Sequence, residues 1–202
     1  MRFNETSARA SRLLLAFVQK PAVVVCAVMC SLALALVFAL TPPARAQSSV
    51  EREYEIKAAY LFNFINYIDW PADTLPPAGG TITIGIIGES PFGTALDPLN
   101  GKQIKGRSLA VKPIASAKDA GQCQIIFICP SEKARLAELL GELKDSRILT
   151  VSEISGFAQQ GGIINFVSER NKVRFEINLE AARRIQLTIS SELLKLAKPI
   201  KT

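Results

Sequence analysis

Four short segments built almost entirely from apolar residues limit the folds that this chain can adopt. They read TITIGIIG (81–88), QIIFIC (124–129), ILTV (148–151) and GIINFV (162–167). Strands that are apolar on both faces are typical of parallel sheets covered by helices, because a solvated sheet face would show alternating polar residues. Helical segments separate several of these strands, as in α/β domains. The sequence therefore predicts a single three-layer α/β domain with a mixed, mostly parallel sheet and helices on both faces.

A late pair of strands adds an antiparallel element to this sheet. Residues 162–167 and 172–179 flank the polar stretch SERN, which is the pattern of a β-hairpin. A further strand, SLAVKPI, is expected at 108–114. The predicted sheet is thus parallel in its centre and ends in a C-terminal antiparallel hairpin.

Three serine or asparagine residues mark the expected starts of helices, because their side chains accept hydrogen bonds from free backbone amides. Ser131 is the first residue of SEKARLAELLGELKD, Asn178 directly precedes LEAARRIQ, and Ser190 directly precedes SELLKLA. A shorter helix is expected near 91–98. These helices would cover the two faces of the sheet.

The stretch YLFNFINYIDWP (60–71) holds five aromatic residues and ends a helix predicted from Val50 to Asp69. The helix should stop before Pro71, because the residue before a proline avoids the α region. A surface that stacks nucleic-acid bases would interleave basic residues with the rings, and none occurs between Lys57 and Lys102. We interpret the stretch as a buried helix, with a ligand site as the alternative.

The spacing of the rings predicts which of them face the sheet. Tyr60, Phe64 and Tyr67 follow steps of four and three residues, which places them on one side of a helix. Trp70 comes where the helix ends and is expected to close the end of the core beside Pro71.

An uncharged run, PAVVVCAVMCSLALALVFAL (21–40), follows a basic start and precedes ARA at 44–46. A basic start, an apolar centre and small residues at the exit are the pattern of a secretory signal peptide. The sequence predicts cleavage between Ala46 and Gln47, a periplasmic location, and a mature domain at 47–202. The alternative is an uncleaved anchor, because the run is about as long as a membrane-spanning helix of roughly 20 residues.

Removing the leader changes the charge of the chain. The full sequence has 24 Lys and Arg against 18 Asp and Glu. The leader holds five of the basic residues and one of the acidic ones, which leaves 19 against 17 and a net charge of +2. No polybasic stretch remains to bind phosphate groups, so no nucleic-acid partner is expected.

The chain contains no histidine, which excludes Ser-His-Asp and Cys-His catalysis and most zinc sites. Cys123 and Cys129 lie about 20 Å apart if both belong to one strand, so they cannot pair with each other. We expect buried, unreactive thiols and leave an intermolecular bridge open.

The turn GESPFG (88–93) lacks the third glycine of a dinucleotide-binding motif. It predicts a tight turn, with a phosphate cradle as the alternative. No catalytic residue, cofactor or metal is expected.

Two charged residues in the last predicted strand stand out. Arg174 and Glu176 alternate with apolar residues and therefore share one face of a strand. They form either a salt-bridged outer face of the sheet or a polar patch for a ligand or a partner. Trp70 is a third candidate for such a patch.

Several stretches, taken in order, resemble the YfiR-type periplasmic proteins. They are EYEIKAAYLFNFINYIDWP, ITIGIIGESPFG, CQIIFIC, ILTVSE, GGIINFV and VRFEINLEAARRIQLTISSELLKLAK. The similarity spans about Glu51 to Lys198. It implies an exported, dimeric negative regulator. The best-understood members bind the periplasmic part of an inner-membrane diguanylate cyclase and hold it inactive, which lowers cyclic di-GMP and biofilm formation.

The resemblance sets the functional expectation. It implies a non-catalytic homodimer that restrains an inner-membrane diguanylate cyclase or a sensor kinase. A small-molecule binding module is the first alternative, and a hydrolase with a carboxylate or serine site is the second. Members of the family often carry a cysteine in the first strand, facing one at the position of Cys123. Here Gly85 occupies that first-strand position, which implies that the bridge is missing.

Overall fold

The computed structural model describes residues 49–200, so the predicted leader and its cleavage site lie outside the described part of the chain. The helices in this part are α1 (Ser49–Tyr67), α2 (Leu136–Leu143), α3 (Leu179–Arg184) and α4 (Ser191–Leu196). Short 3₁₀ turns lie at Asp97–Leu99, Ala117–Gln122 and Pro130–Arg135. Between residues 49 and 200, no helix has both the length and the apolar character that crossing a membrane requires.

The strands form a large mixed sheet and a separate two-stranded ladder. The ladder pairs β1 (Ile68–Asp69) with β9 (Thr188–Ile189) in antiparallel fashion. The sheet contains β2 (Thr81–Ile87), β3 (Gln103–Ile104), β4 (Arg107–Ile114), β5 (Ile125–Ile128), β6 (Leu149–Ser152), β7 (Ile164–Glu169) and β8 (Lys172–Ile177).

The strand order of the sheet is β3-β4-β2-β5-β6-β7-β8. The pairings from β4 to β7 are parallel, and both end pairings are antiparallel. The predicted mixed, mostly parallel sheet and its C-terminal hairpin are therefore confirmed. The hairpin turns at Arg170 and Asn171, which have φ angles of 50° and 59°. Two successive positive φ angles are typical of the hairpin turn that matches the twist of the strands.

Strand β5 shows why the sheet is covered on both faces. Ile125 and Phe127 are fully buried in the cluster that includes α1, whereas Ile126 and Ile128 are fully buried in the cluster that includes α2. Since successive side chains of a strand point to opposite faces, the two helices lie on opposite faces of the sheet. The three predicted layers are present.

The aromatic helix packs against the hairpin. Phe64 is completely buried, and its ring centroid lies 5.9 Å from that of Phe166 and 5.5 Å from that of Phe175. Tyr60 contacts Phe175 edge-on at 5.3 Å, and Trp70 is 8% exposed. The predicted burial is therefore confirmed for Phe64 on the helix and for Trp70 just beyond its end, and the partly buried Tyr60 faces the sheet as predicted.

The prediction that Tyr67 faces the sheet is wrong, because this side chain is 42% exposed. The buried face of α1 is centred on Leu61 and Ile65 and continues in Ile68. Tyr60, Phe64 and Tyr67 lie at the edge of that face. Successive residues of a helix are rotated by about 100°, and this rotation places Tyr67 farther from the centre of the buried face than Phe64.

The expected N-caps are confirmed at two of three helices. Asn178 Oδ1 accepts a hydrogen bond from Ala181 N at 2.9 Å, and Ser190 Oγ accepts one from Leu193 N at 3.2 Å. Ser131 caps no α-helix, because residues 130–135 form a 3₁₀ turn and α2 begins only at Leu136. The helix expected near 91–98 consists of turns that lead into the 3₁₀ segment at 97–99.

Candidate functional site

A groove with a volume of about 980 Å³ runs between α1 and the segment 91–102, which follows β2. Phe92 forms part of its wall and is itself held in place by two rings. Its ring centroid lies 5.3 Å from that of Tyr54 and 4.8 Å from that of Phe127, both edge-on. The remaining apolar lining comes from both elements: Val50, Ala58, Ala59 and Phe62 on the helix, and Ala95, Pro98 and Leu99 on the segment.

The rim of the groove carries charge of both signs. Glu51 and Glu55 belong to the helix side. Lys102 lies on the opposite side, with its Nζ 4.6 Å from the centroid of the Phe62 ring. A mainly apolar groove with a few charged groups at its edge is the arrangement by which proteins take up small molecules or the apolar face of a helix.

The topology of the sheet explains why a groove forms at this end. After β2, the chain adds β4 on one side of β2 and then returns to add β5 on the other side. The boundary between β2 and β5 is therefore a topological switch point. In open α/β sheets, ligands bind outside the carboxyl ends of the strands at such a switch point. The segment 91–102 starts a few residues beyond the carboxyl end of β2. The groove therefore lies beside the switch point.

The switch point itself is closed by contacts between two loops. Ser131 Oγ accepts a hydrogen bond from Glu89 N at 2.9 Å. Gly88 has a φ angle of 94°, and a Cβ at this position would come within 2.4 Å of Ser131 Oγ. The amide that a phosphate would need is thus used by Ser131, which agrees with a tight turn at GESPFG.

A buried lysine fixes α1 to the sheet below the groove. Lys57 is 3% exposed. Its Nζ pairs with Glu53 at 2.6 Å and forms a short ion pair with Glu153, which directly follows β6. Tyr54 Oη donates to Glu153 Oε1 at 3.1 Å. A buried ammonium is tolerated only when it is paired, so this cluster holds the helix that forms one wall of the groove in one position.

Two groups near Glu153, the phenol of Tyr54 and the thiol of Cys129, have raised pKa values. Burial, followed by the nearby Glu153 carboxylate, raises the pKa of Tyr54. The phenol therefore remains a hydrogen-bond donor. Burial raises the pKa of Cys129 to about 12, with further contributions from Glu153 and Glu132. A neutral thiol is a poor nucleophile, so Cys129 is suited to packing rather than to chemistry.

Both cysteines in the described residues are free and buried, as the sequence predicts. Burial raises the pKa of Cys123, and Lys112 lowers it in part. The geometry around Cys123 also bears on the missing bridge. A Cβ added at Gly85 would lie 3.0 Å from Cys123 Sγ, so the two positions face each other on neighbouring elements as the resemblance implies.

The three residues predicted as a patch differ in their surroundings. Arg174 is exposed, whereas Glu176 and Trp70 are 6% and 8% exposed. The Nε1 atom of Trp70 has no hydrogen-bond partner within residues 49–200. The structure shows no salt bridge between Arg174 and Glu176 in this part of the chain. Of the three residues, only Arg174 is largely exposed, whereas Glu176 lines a small cleft.

Sequence reasoning missed Lys57 and the groove beside it. A signal for Lys57 was present, because it precedes the buried Leu61 by four residues and Phe64 by seven. These spacings place a lysine on the apolar face of the helix. Glu53, four residues earlier, supplies the opposite charge at the same face. The groove has no such local signal, because its second wall comes from the segment after β2.

Comparison with known proteins gives one family and two distant folds. A profile of the family described as YfiR/HmsC-like matches residues 54–198. No curated protein matches the chain at a significant level. One similar structure is a conserved domain protein from Vibrio cholerae O1 biovar El Tor, with a TM-score of 0.48 and 13% sequence identity. The match covers 73% of this chain and 60% of the Vibrio chain. Another is the ABC domain from Streptococcus pneumoniae in complex with L-Trp, with a TM-score of 0.49 and 10% sequence identity. The match covers 74% of this chain and 60% of the Streptococcus chain.

Proposed function

Because the chain belongs to the YfiR/HmsC-like family, we propose that it is an exported regulatory protein that binds and restrains an inner-membrane diguanylate cyclase or sensor kinase. Proteins of this family are regulatory rather than catalytic. Restraint of a cyclase would lower cyclic di-GMP and reduce biofilm formation. The family match, which covers nearly all of the described residues, is the observation that carries this proposal.

The groove between α1 and segment 91–102 is the surface that we assign to the membrane partner. Its volume and apolar lining suit the apolar face of an amphipathic helix. Val50, at one end of the groove, is 59% exposed and extends the apolar surface. The Lys57 cluster holds one wall in place without a partner, so little ordering is required on binding. Preorganisation of this kind favours affinity.

A substitution that fills the groove tests this assignment. Ala59 lines the groove and is exposed on α1, so Ala59→Arg should leave the fold intact while a long charged side chain obstructs the groove. We expect capture of a cyclase or kinase from detergent-solubilised membranes to fall by about tenfold or more, as expected for loss of a central contact. Cyclic di-GMP in cells should rise to the level seen without the protein.

The matched control is Ala137→Arg. Ala137 is likewise an exposed helical alanine, but it lies on α2, on the opposite face of the sheet. This variant should capture the partner as the wild type does. Equal capture by both variants would exclude the groove as the binding surface. Failure of the wild-type protein to capture any membrane cyclase or kinase would refute the proposed function itself.

Export and self-association belong to the same proposal. We expect the protein to be periplasmic, to begin at Gln47 and to form a homodimer. Native mass spectrometry of protein from the periplasmic fraction measures the mature N-terminus and the assembly together. A chain that still contains residues before 21 would indicate an anchor, and a monomer mass would contradict the dimer.

A further inference from the structure

A row of polar side chains crosses the sheet on the face away from α1. Ser152, Asn165 and Glu176 are register partners on β6, β7 and β8. Their residues are 0%, 1% and 6% exposed. Ser152 also pairs in register with Ile128, whose side chain packs towards α2. The row therefore replaces apolar core on this face of the sheet.

The hydroxyl of Ser152 and the amide nitrogen of Asn165 form hydrogen bonds within the sheet and the loop after β6. Ser152 Oγ donates to Ile128 O at 2.7 Å and accepts from Ile154 N at 3.1 Å. Asn165 Nδ2 donates to Ser152 O at 3.3 Å and to Ile154 O at 3.1 Å. These bonds hold the amide of Asn165 in one orientation. They satisfy the usual requirement that buried polar groups form hydrogen bonds.

Glu176 is different, because no hydrogen bond or ion pair within residues 49–200 reaches its carboxylate. Lys198 is a candidate counter-charge, because it forms a parallel backbone bridge with Glu176. The ammonium of Lys198 instead bonds to Glu169 Oε1 at 2.6 Å. Although the residue as a whole is only 6% exposed, its carboxylate oxygens are not among the unpaired side-chain atoms sealed from solvent within residues 49–200, which are Trp70 Nε1 and Thr74 Oγ1. The carboxylate therefore keeps access to solvent and can receive a partner from outside the described chain.

Glu176 lines a cleft with a volume of about 360 Å³. The cleft lies between the loop after β6, strand β7 and the C-terminal segment, and Ser155, Gln159, Asn165 and Ser168 contribute polar groups to it. We propose that this cleft binds a small primary ammonium compound, whose –NH₃⁺ group pairs with the Glu176 carboxylate. This inference is independent of the partner groove and of the proposed regulatory function.

The composition of the cleft favours an ammonium group over a metal ion. Calcium takes six to eight oxygen ligands and magnesium requires an octahedral set. The second carboxylate of the cleft, Glu169, is already bonded to Lys198. An ammonium group brings three N–H donors and needs only a carboxylate with a few neutral acceptors. The volume of the cleft lies near the lower end of the range for ligand sites in proteins, about 300–1,000 Å³. The cleft therefore suits a small compound.

Three probes of similar size test the proposal on the full-length mature protein. Ethanolamine carries the ammonium group, ethylene glycol has the same shape without charge, and tetramethylammonium has the charge without N–H donors. In ¹H–¹⁵N NMR titrations, ethanolamine should bind saturably and shift the amide signals of Gly156 and Ser168, which border the cleft. Neither of the other two probes should shift them. Equal shifts with ethylene glycol or tetramethylammonium, or no saturation with ethanolamine, would overturn the proposal.

The variant Glu176→Gln keeps the shape of the side chain and removes its charge. We expect its affinity for ethanolamine to fall by about tenfold or more, as for loss of a charge-assisted hydrogen bond. Glu192→Gln, an exposed position on α4, should bind as the wild type does. Retained affinity in Glu176→Gln would refute the role of this carboxylate. The comparison of the three probes on the wild type stands even if this variant fails to fold.

Discussion

Replacing Phe64 by alanine is expected to lower the free energy of unfolding by about 3–5 kcal/mol, the usual range for a buried phenylalanine. Phe64 is fully buried and contacts the rings of Tyr60, Phe166 and Phe175. The loss is a large share of the roughly 5–15 kcal/mol that stabilises a domain. Equilibrium unfolding in urea, followed by tryptophan fluorescence from Trp70, measures it.

Tyr67→Ala is the matched control on the same helix. Tyr67 is 42% exposed, and substitution of a surface side chain usually changes the free energy of unfolding by only about 0.5 kcal/mol. The two variants should therefore differ by several kilocalories per mole. If Phe64→Ala unfolded at the wild-type urea concentration but no longer captured the membrane partner, the aromatic helix would be an interface rather than a buried support.

Gly85→Cys is expected to form a disulfide with Cys123 when the variant is oxidised. The 3.0 Å between an added Cβ and Cys123 Sγ is about the separation that an S–S bond of roughly 2.05 Å imposes. The bridge would close a loop of intermediate length. Oxidation should therefore stabilise this variant by between about 3 and 4.7 kcal/mol relative to its reduced form. Urea unfolding with and without reductant measures the difference.

Gly85→Ala provides the control for crowding. The same added Cβ would lie 2.5 Å from Ile126 Cδ1 and 2.7 Å from Ile114 Cγ1, and overpacking of this kind typically destabilises by about 1–3 kcal/mol. The alanine variant should show that loss and no response to reductant. Cys129 should stay unreactive towards thiol reagents in every folded variant. A cysteine variant that remains reduced under oxidising conditions would contradict the facing geometry.

The covered strands could be predicted from the sequence because their signal is local. Ile125 to Ile128 are apolar at every position, and such a strand can only lie between two covering layers. The caps Asn178 and Ser190 could also be predicted, because each side chain accepts a hydrogen bond from an amide only three residues later in the sequence. Ser131 was misjudged because its hydroxyl has a distant competitor, the amide of Glu89. A local pattern does not reveal whether a serine hydroxyl will accept a hydrogen bond from a nearby helix amide or from an amide that is distant in sequence.

The candidate sites depend more strongly on distant contacts. Arg174 and Glu176 share a strand face, yet one is exposed and the other is buried. The pattern of the strand gives no reason for this difference. It arises because the C-terminal segment reaches the strand at Glu176, where Lys198 N donates to Phe175 O at 2.8 Å. The groove likewise needs a helix and a segment that are distant in sequence.

The pairing of β1 with β9 sets the order in which the chain can fold. Ile68 is aligned with Ile189, and Tyr60 and Phe64 pack on Phe166 and Phe175 of the hairpin. Contacts between such distant parts of a chain form slowly, because the loop between them must close first. During synthesis, the aromatic helix emerges long before its partners and cannot be buried until the hairpin follows. We therefore expect a nascent chain of this topology to complete its core only after the C-terminal segment has emerged, because α1 and β1 lack their partners on β7, β8 and β9 until then.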